Sequence, residues 1–523
     1  MLRANSIDVY PSWKKVQDFK NSITPLKTVP LPEPYIGVYS NFTESVKITV
    51  AQILKLENVH KTNELTNLVL EIKFGYDGSG GHKMYNQLHN VNTNNIIMAM
   101  FCPLKLLNSN ADGNNLIWEQ ISPNISDFSQ RPLMLQMGKE SRENAQSLTV
   151  FNADIKTMKE EGFIIIFNGQ YLNIKVNIVA DSFDRKASNI FQGLGGAYCD
   201  LCDLSKEQCE DICTIEQGFV INRDIETMEQ IFLDLVQEDG SLTKKSKDYD
   251  VRHGQTASPI AGSNVRSVQV LHALLRGFDH FMKVVVHLSA GVHAWTESKT
   301  ASTTHFLEIE KKNIQELIGK KTGIKWDFAD SSGQGGSTTT GNVARNLFYN
   351  EKNRKLITDY ISNKHARMLA EWYGFLLFNI IRAMSSSQKI TIKKYRDICK
   401  ETNILLRQEM PWVSSTPTIH KLLGHTWELI ELNNDTGPKS WSEEGMEANN
   451  KQLRIFREKL SRKTNQLQNL EDCFKRLWVG SDPLVTEQRN KGRLQCKLCS
   501  EIGHSKKTCF KVHENDIVNT LFM

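Results

Sequence analysis

The sequence lacks any apolar run approaching the ~18 residues needed to cross a membrane, and its first residues, MLRANSIDVYPSW, contain no signal-peptide core. Both absences argue against a membrane role and read as an intracellular chain in a reducing compartment. A strong charge imbalance is also missing: the net charge is +5 over 523 residues, too small to define a partner. The cysteines do not look like a disulfide framework, since ten of them in a 59.6 kDa chain fall in clusters that suit thiols and metal ligands. With 40% hydrophobic and 24% charged residues the composition is that of a globular chain with a real core, long enough for about two to four domains.

Charge and metal-type residues are concentrated locally. Residues 451–511 hold fifteen Lys/Arg against six Asp/Glu, a local +9 that exceeds the charge of the whole chain and reads as a phosphate-backbone footprint or a solvated face. Cys199 and Cys202 in AYCDLCDL form one half of a ligand set, and His420 and His425 in TIHKLLGH form the other. Neither pair holds a metal alone, so the fold must bring them together as a structural, four-ligand zinc site. Cys209 and Cys213 are near enough in sequence to compete. Near the C-terminus CKLCSEIGHSKKTC spaces Cys496, Cys499, His504 and Cys509 as a zinc knuckle, with Gly503 permitting the turn, Lys497, Lys506 and Lys507 beside it, and His513 a spare ligand.

Apolar alternation predicts strands in ELTNLVLEIKFG (64–75), NNIIMAMFCPLKLL (94–107), RPLMLQMG (131–138), GFIIIFNG and NIKVNIVADSFD, with a helical stretch near 141–161. A glycine-rich turn, YDGSGG, is expected to follow the first strand and leave Asp77 at its end; Asp184 is expected just beyond the last. Gly75, Gly78 and Gly80 only loosely imitate a dinucleotide loop, and the downstream βαβ pattern is missing. Apolar spacing of three and four predicts helices through most of 220–410, interrupted by SSGQGGSTTTGN (331–342), read as a flexible loop. In SWSEEGMEANNKQLRIFREKL the residues Met446, Leu453, Phe456 and Leu460 give one apolar helix face, with Glu447, Lys451 and Arg454 on the next.

Asp77, Asp184 and Glu447 are three acids that could hold two Mg2+ or Mn2+ ions roughly 4 Å apart, the arrangement for in-line phosphodiester displacement. For each aspartate the competing role is a turn or cap residue; for Glu447 it is a surface salt bridge.

Four blocks in this order, FGYDGSGG, SFDRKA with YCDLCD, IHKLLGHTWELIE and EEGMEANNKQLRIFR, resemble the catalytic subunit of the RAG V(D)J recombinase and the Transib and ProtoRAG transposases over roughly residues 60–480. The resemblance implies an α/β fold: an RNase H-like catalytic core interrupted by a largely helical zinc-binding insertion, with a C-terminal CCHC zinc knuckle. It divides the chain into 1–60, an N-terminal DNA-binding or dimerisation arm and linker; 61–195, the first part of the core; 196–430, the insertion; 431–480, the Glu447 helix; and 481–523, the basic tail. Asp77, Asp184 and Glu447 become a DDE triad binding Mg2+ or Mn2+, with zinc at two structural sites. The implied activity is nicking at element ends, transesterification to a hairpin, and strand transfer. The implied partners are double-stranded DNA with terminal inverted repeats or signal-like ends, contacted by Lys451, Arg454, Arg457 and the tail lysines; a second copy of the chain; and a kelch-propeller accessory subunit. The setting is the nucleus. Nothing before residue 60 reads as a RING finger, which supports a domesticated or truncated DNA-binding protein without cleavage as the rival reading. A gag-like RNA-binding protein would explain the knuckle alone.

Overall fold

The computed structural model describes residues 26–56, 59, 65, 67–80, 95–110, 113–120, 129–195, 199–237, 254–260, 269–293, 301–327, 339–386, 390–432, 442–462 and 464–491. The knuckle ligands Cys496, Cys499, His504 and Cys509, with Lys497, Lys506 and Lys507, lie outside them, as does most of the 331–342 loop. The chain divides into two compact units: Met1–Asp181 with Glu444–Cys509, and Ser182–Glu443 with Phe510–Met523.

The first unit is built on an eight-stranded sheet ordered β1-β2-β6-β4-β3-β8-β7, with β5 also paired to β4. Its strands are β1 (Thr28–Pro30), β2 (Gly37–Ser40), β3 (Asn67–Ser79), β4 (Ile96–Asn110), β5 (Gly113–Glu119), β6 (Arg131–Met137), β7 (Phe163–Phe167) and β8 (Gln170–Phe183). In β4 every residue from Ile96 to Leu104 except Pro103 is a buried hydrophobe, as suits a central strand covered on both faces, whereas in β8 buried Leu172, Ile174, Val176 and Ile178 alternate with exposed neighbours. Asn168 and Gly169, both at positive φ (49° and 79°), close the β7–β8 hairpin, the backbone sign a two-residue turn needs to match strand twist.

Two expectations are corrected here. YDGSGG is not a turn through its first half: β3 continues to Ser79, pairing antiparallel with β4 through Asp77↔Met98 and Ser79↔Ile96. The proline-rich segment 26–40, inside the 1–60 region expected to be an arm and linker, is part of the sheet, since it supplies β1 and β2. The helix Phe42–Leu54 follows, opened by the Asn41 side chain accepting from the Glu44 amide at 2.8 Å. Its buried Phe42 meets the rings of Phe74, Phe101 and Phe151 at 6.1, 5.6 and 6.0 Å.

The second unit is helical, as the spacing predicts. The helices Val270–Ala290, Lys364–Met384 and Ile392–Glu409 bury apolar stripes against one another. The first two approach closely because residue 374 is glycine; a Cβ there would come within 2.5 Å of the Phe281 ring. Among shorter helices, Lys206–Glu210 carries Cys209, Ile212–Gln217 carries Cys213 and Pro417–Gly424 carries His420, while Asp184 caps Arg185–Gln192.

Candidate functional site

Within the second unit the two halves of the predicted ligand set meet. The candidate donor atoms of Cys199, Cys202, His420 and His425, all four buried, lie within 4.8 Å of one another. Cys199 and Cys202 sit on the segment entering the helix Lys206–Glu210. His420 stands one turn into the helix Pro417–Gly424, started by the Thr416 cap and by proline in its first turn, and His425 ends it. His420 Nε2 is 3.2 Å from Cys202 Sγ and 3.2 Å from His425 Nε2. A tetrahedral zinc with ~2.0 Å N and ~2.3 Å S bonds needs ligand separations of about 3.3–3.8 Å, so the donor set fits that ion.

The electrostatics point the same way. Burial opposes the Cys199 thiolate, yet hydrogen bonding with Cys202, His420 and His425 holds it well below the usual thiol range. Burial likewise opposes charge on His420, but Cys199 and Cys209 raise its pKa to about 10. Hydrogen bonding to Cys199 and Cys209, with burial, drives Cys202 strongly upward. Two neighbouring buried thiolates conflict unless a cation lies between them, and a divalent ion would supply that cation. Cys209 Sγ is also close to His420 Nε2, at 3.6 Å, so it borders the cluster, whereas Cys213 is exposed. Glu428, which sequence reasoning missed, places a carboxylate oxygen 3.8 Å from His425 Nδ1 while accepting from the Ile221 amide at 3.2 Å; its signal is the offset of three from His425.

In the first unit Asp77 and Glu447 are carried by elements that touch. The helix Glu444–Ile455 docks on β3: Asn450 Nδ2 donates to Asp77 Oδ2 at 2.7 Å, and Arg454 Nη2 donates to the Gly80 carbonyl at 3.0 Å. Asn450, one helical turn beyond Glu447, is thus an Asp77 partner that the acid-centred reading overlooked. Gly445 packs against the Gln130 side chain, whose Nε2 would lie 2.7 Å from a Cβ at that position. Asp77 and Glu447 are both half-buried, and Lys451 and Arg454 are exposed.

Arg457, expected among the DNA-contacting cations, requires correction. It is 1% exposed, with its guanidinium 3.8 Å from Met137 Sδ. The reason is its stride: Asn449, Leu453 and Arg457 fall four apart and share the buried side of the helix, and Arg457 lies in the π-turn Phe456–Leu460 that follows.

Asp184 belongs to the second unit, one residue after β8. Its Oδ1 accepts from the Ala187 amide at 2.7 Å, capping the helix Arg185–Gln192, so the cap role is real.

The fold and these residues define an α/β protein with an RNase H-like domain, helical regions and a Cys/His cluster suited to a metal. Residues 69–197, which include Asp77 and Asp184, match the family described as the recombination-activation protein 1 (RAG1) RNase H domain. The V(D)J recombination-activating protein 1 of Oncorhynchus mykiss is 22% identical over 390 residues, covering 69% of this chain and 33% of the relative. The protein of the same name from Sus scrofa is 22% identical over 393 residues (72% and 36%), and that from Xenopus laevis 21% over 387 (71% and 34%). These similarities support a RAG-like recombinase family for the chain, which spans about a third of the length of the curated relatives it matches. Among the described residues no helix is long and apolar enough to cross a membrane.

Proposed function

We propose that this chain is the catalytic chain of a RAG-like DNA recombinase or transposase, with Asp77, Asp184 and Glu447 as its acidic triad. The observation that carries the reading is the docking of the Glu447 helix on β3 through the Asn450–Asp77 hydrogen bond, inside a chain whose residues 69–197 match the RAG1 RNase H domain. Two bound Mg2+ or Mn2+ ions would supply Lewis acidity to the attacking and leaving oxygens. Asp77 is held at one oxygen by Asn450, which fixes the plane of its carboxylate. Asp184 has Oδ1 committed to the Ala187 amide, leaving Oδ2 to face a ligand. Lys451 and Arg454, exposed on the Glu447 helix, would bind backbone phosphates and hold the duplex in register.

The reaction has two displacements. Water attacks a phosphorus at the element border, loses its proton, and the P–O3′ bond breaks to free a 3′ hydroxyl. That hydroxyl then attacks the opposite strand, forming a new P–O bond as another breaks, which closes a hairpin; strand transfer repeats this step on target DNA. Cys199, Cys202, His420 and His425 would hold a structural zinc, and the spacing of Cys496, Cys499, His504 and Cys509, outside the described residues, would suit a second that lets the basic tail grip end DNA. The protein works in the nucleus as a dimer on DNA with terminal repeats or signal-like ends, alongside a kelch-type accessory subunit.

The test is nicking and hairpin formation in Mg2+ or Mn2+ on DNA carrying candidate element ends. Asp77→Asn, Asp184→Asn and Glu447→Gln should each lower the rate by on the order of 100-fold or more, about 3 kcal/mol of barrier, while gel-shift affinity stays near wild type. Undiminished nicking by Glu447→Gln would remove that residue from the triad and sink the reading.

A further inference from the structure

We propose that Ser188, Asp200 and Lys421 form a buried polar link through which the Cys/His cluster positions Asp184. The proposal deepens the functional reading above and rests on it: the three are positioning residues for the acid that would hold the catalytic metal.

Asp200 lies in the loop between the two cysteine ligands and is 3% exposed. One of its oxygens, Oδ2, accepts twice, from Lys421 Nζ at 2.9 Å and from the Ser188 hydroxyl at 2.8 Å. Lys421 directly follows the ligand His420 and is buried. Both arms of the cluster, the Cys199–Cys202 loop and the His420 helix, therefore converge on one carboxylate.

Ser188 carries the contact onward. It is 2% exposed, on the helix Arg185–Gln192, and its amide donates to the Asp184 carbonyl at 2.9 Å. The same first turn holds the Asp184 carboxylate through the Ala187 amide. A hydroxyl has one proton, and here it is committed to Asp200 Oδ2, so the rotation of this turn about its axis is fixed relative to the cluster.

A buried Lys–Asp pair loses so much hydration that an apolar pair of the same volume is usually as stable or more so. What the ionic pair adds is direction: an apolar substitute would fill the space without telling the Asp184 helix where to point. Outer-shell partners of this kind typically affect metal affinity or activity by about 10–100-fold when they touch a ligand directly. Ser188 acts one step further out, so a smaller effect is expected.

Ser188→Ala is the cleanest variant, because Asp200 keeps Lys421 and no charge is left bare. Ser188→Thr retains the hydroxyl, and the double variant Asp200→Leu/Lys421→Met removes both charges together with the acceptor of the Ser188 proton. Full-length proteins purified with zinc would be compared by zinc content, melting temperature, Mn2+ affinity from the EPR signal of free Mn2+, and the Mn2+ dependence of nicking. Ser188→Ala should keep wild-type zinc content and melt close to wild type, while its Mn2+ affinity falls ~3–10-fold and half-maximal nicking moves up in Mn2+ by a similar factor. Ser188→Thr should recover most of both, and the double variant should resemble Ser188→Ala.

Unchanged Mn2+ affinity and dependence in Ser188→Ala, with Asp184→Asn inactive, would overturn the link and leave the triad standing. Wild-type nicking and Mn2+ affinity in Asp184→Asn would overturn the functional reading, and the link with it. Loss of zinc from Ser188→Ala would also overturn the proposal, since the three residues would then be supporting the cluster and not the acid.

Discussion

Lys451, Arg454 and Arg457 show how one basic run holds residues of different kinds. Three cations within seven residues look alike in sequence, but the first two are exposed beside the end of β3, whereas the guanidinium of Arg457 is buried against Met137. Burial also pulls the Arg457 pKa down from the usual guanidinium value, as expected of a charge taken out of water. A phosphate contact releases counterions and therefore shows in the salt dependence of DNA affinity; a buried arginine contributes only packing and fold. Arg454→Ala should reduce the slope of log affinity against log salt by about 1 with little change in melting temperature. Arg457→Ala should leave that slope unaltered and destabilise the fold by ~1–3 kcal/mol, read by urea unfolding. An equal loss of salt slope in the two variants would show that Arg457 reaches DNA after all.

At the scale of elements, the crossing of Val270–Ala290 with Lys364–Met384 contains a histidine that must stay neutral. His280 accepts from the Tyr373 hydroxyl at Nδ1 (2.7 Å) and donates from Nε2 to the Ser414 carbonyl (3.2 Å), which fixes one neutral tautomer. Burial lowers its pKa from 6.5 to about 4. The unfolded chain therefore binds a proton between those values that the fold refuses; this contribution to stability is intact above pH 6.5 and is lost as pH falls towards 4, by on the order of 3 kcal/mol. Its neighbour Asp279 acts with the opposite sign, since burial raises it from 3.8 to about 6 and the fold then binds the proton more tightly than the unfolded chain. Below pH 6 the two partly cancel. Urea midpoints at pH 7 and 4.5 should separate them: the loss between these pH values is smaller in His280→Gln than in wild type and larger in Asp279→Asn. Identical pH profiles for wild type and His280→Gln would mean that the imidazole is solvated.

The same scale explains what could be read in advance. The strands β3, β4, β6, β7 and β8 were legible because their residues alternate or run apolar for a whole strand length. β1 and β2 were not, because three or four residues among prolines leave no period to detect. Asp77 looked like a turn residue because Gly78 and Gly80 flank it, yet neither glycine has a positive φ; the backbone of Ile96–Ala99 pairs with the segment and overrides its local preference. The clustering of Cys199, Cys202, His420 and His425 could be anticipated because metal chemistry restricts residue type and spacing. Asp200 and Lys421 could not, since an Asp–Lys pair 221 residues apart has no signature until the fold joins it.

At the scale of the whole molecule, each compact unit is closed by distant parts of the chain. The sheet unit takes in residues from 444 onward, and the helical unit joins residues near 200 to residues near 420 through the Cys/His cluster. Bringing two such segments together costs chain entropy, and a metal bound by two residues from each would hold them without needing a larger core. The sheet unit has no part in this cluster, because all four donors belong to the other. Zinc removal should therefore destabilise the helical unit by several kcal/mol and leave the sheet unit's own core intact, so that calorimetry splits into a low-temperature transition and an unshifted one. Cys199→Ser should imitate the chelator, whereas Cys213→Ser, at an exposed thiol outside the cluster, should behave as wild type. If the sheet transition fell together with the helical one, the metal would be supporting both units and not the 199–425 closure alone. If neither moved and the chain held no zinc, the four donors would be a hydrogen-bonded cluster whose buried thiolate and imidazolium charges neutralise each other without a metal.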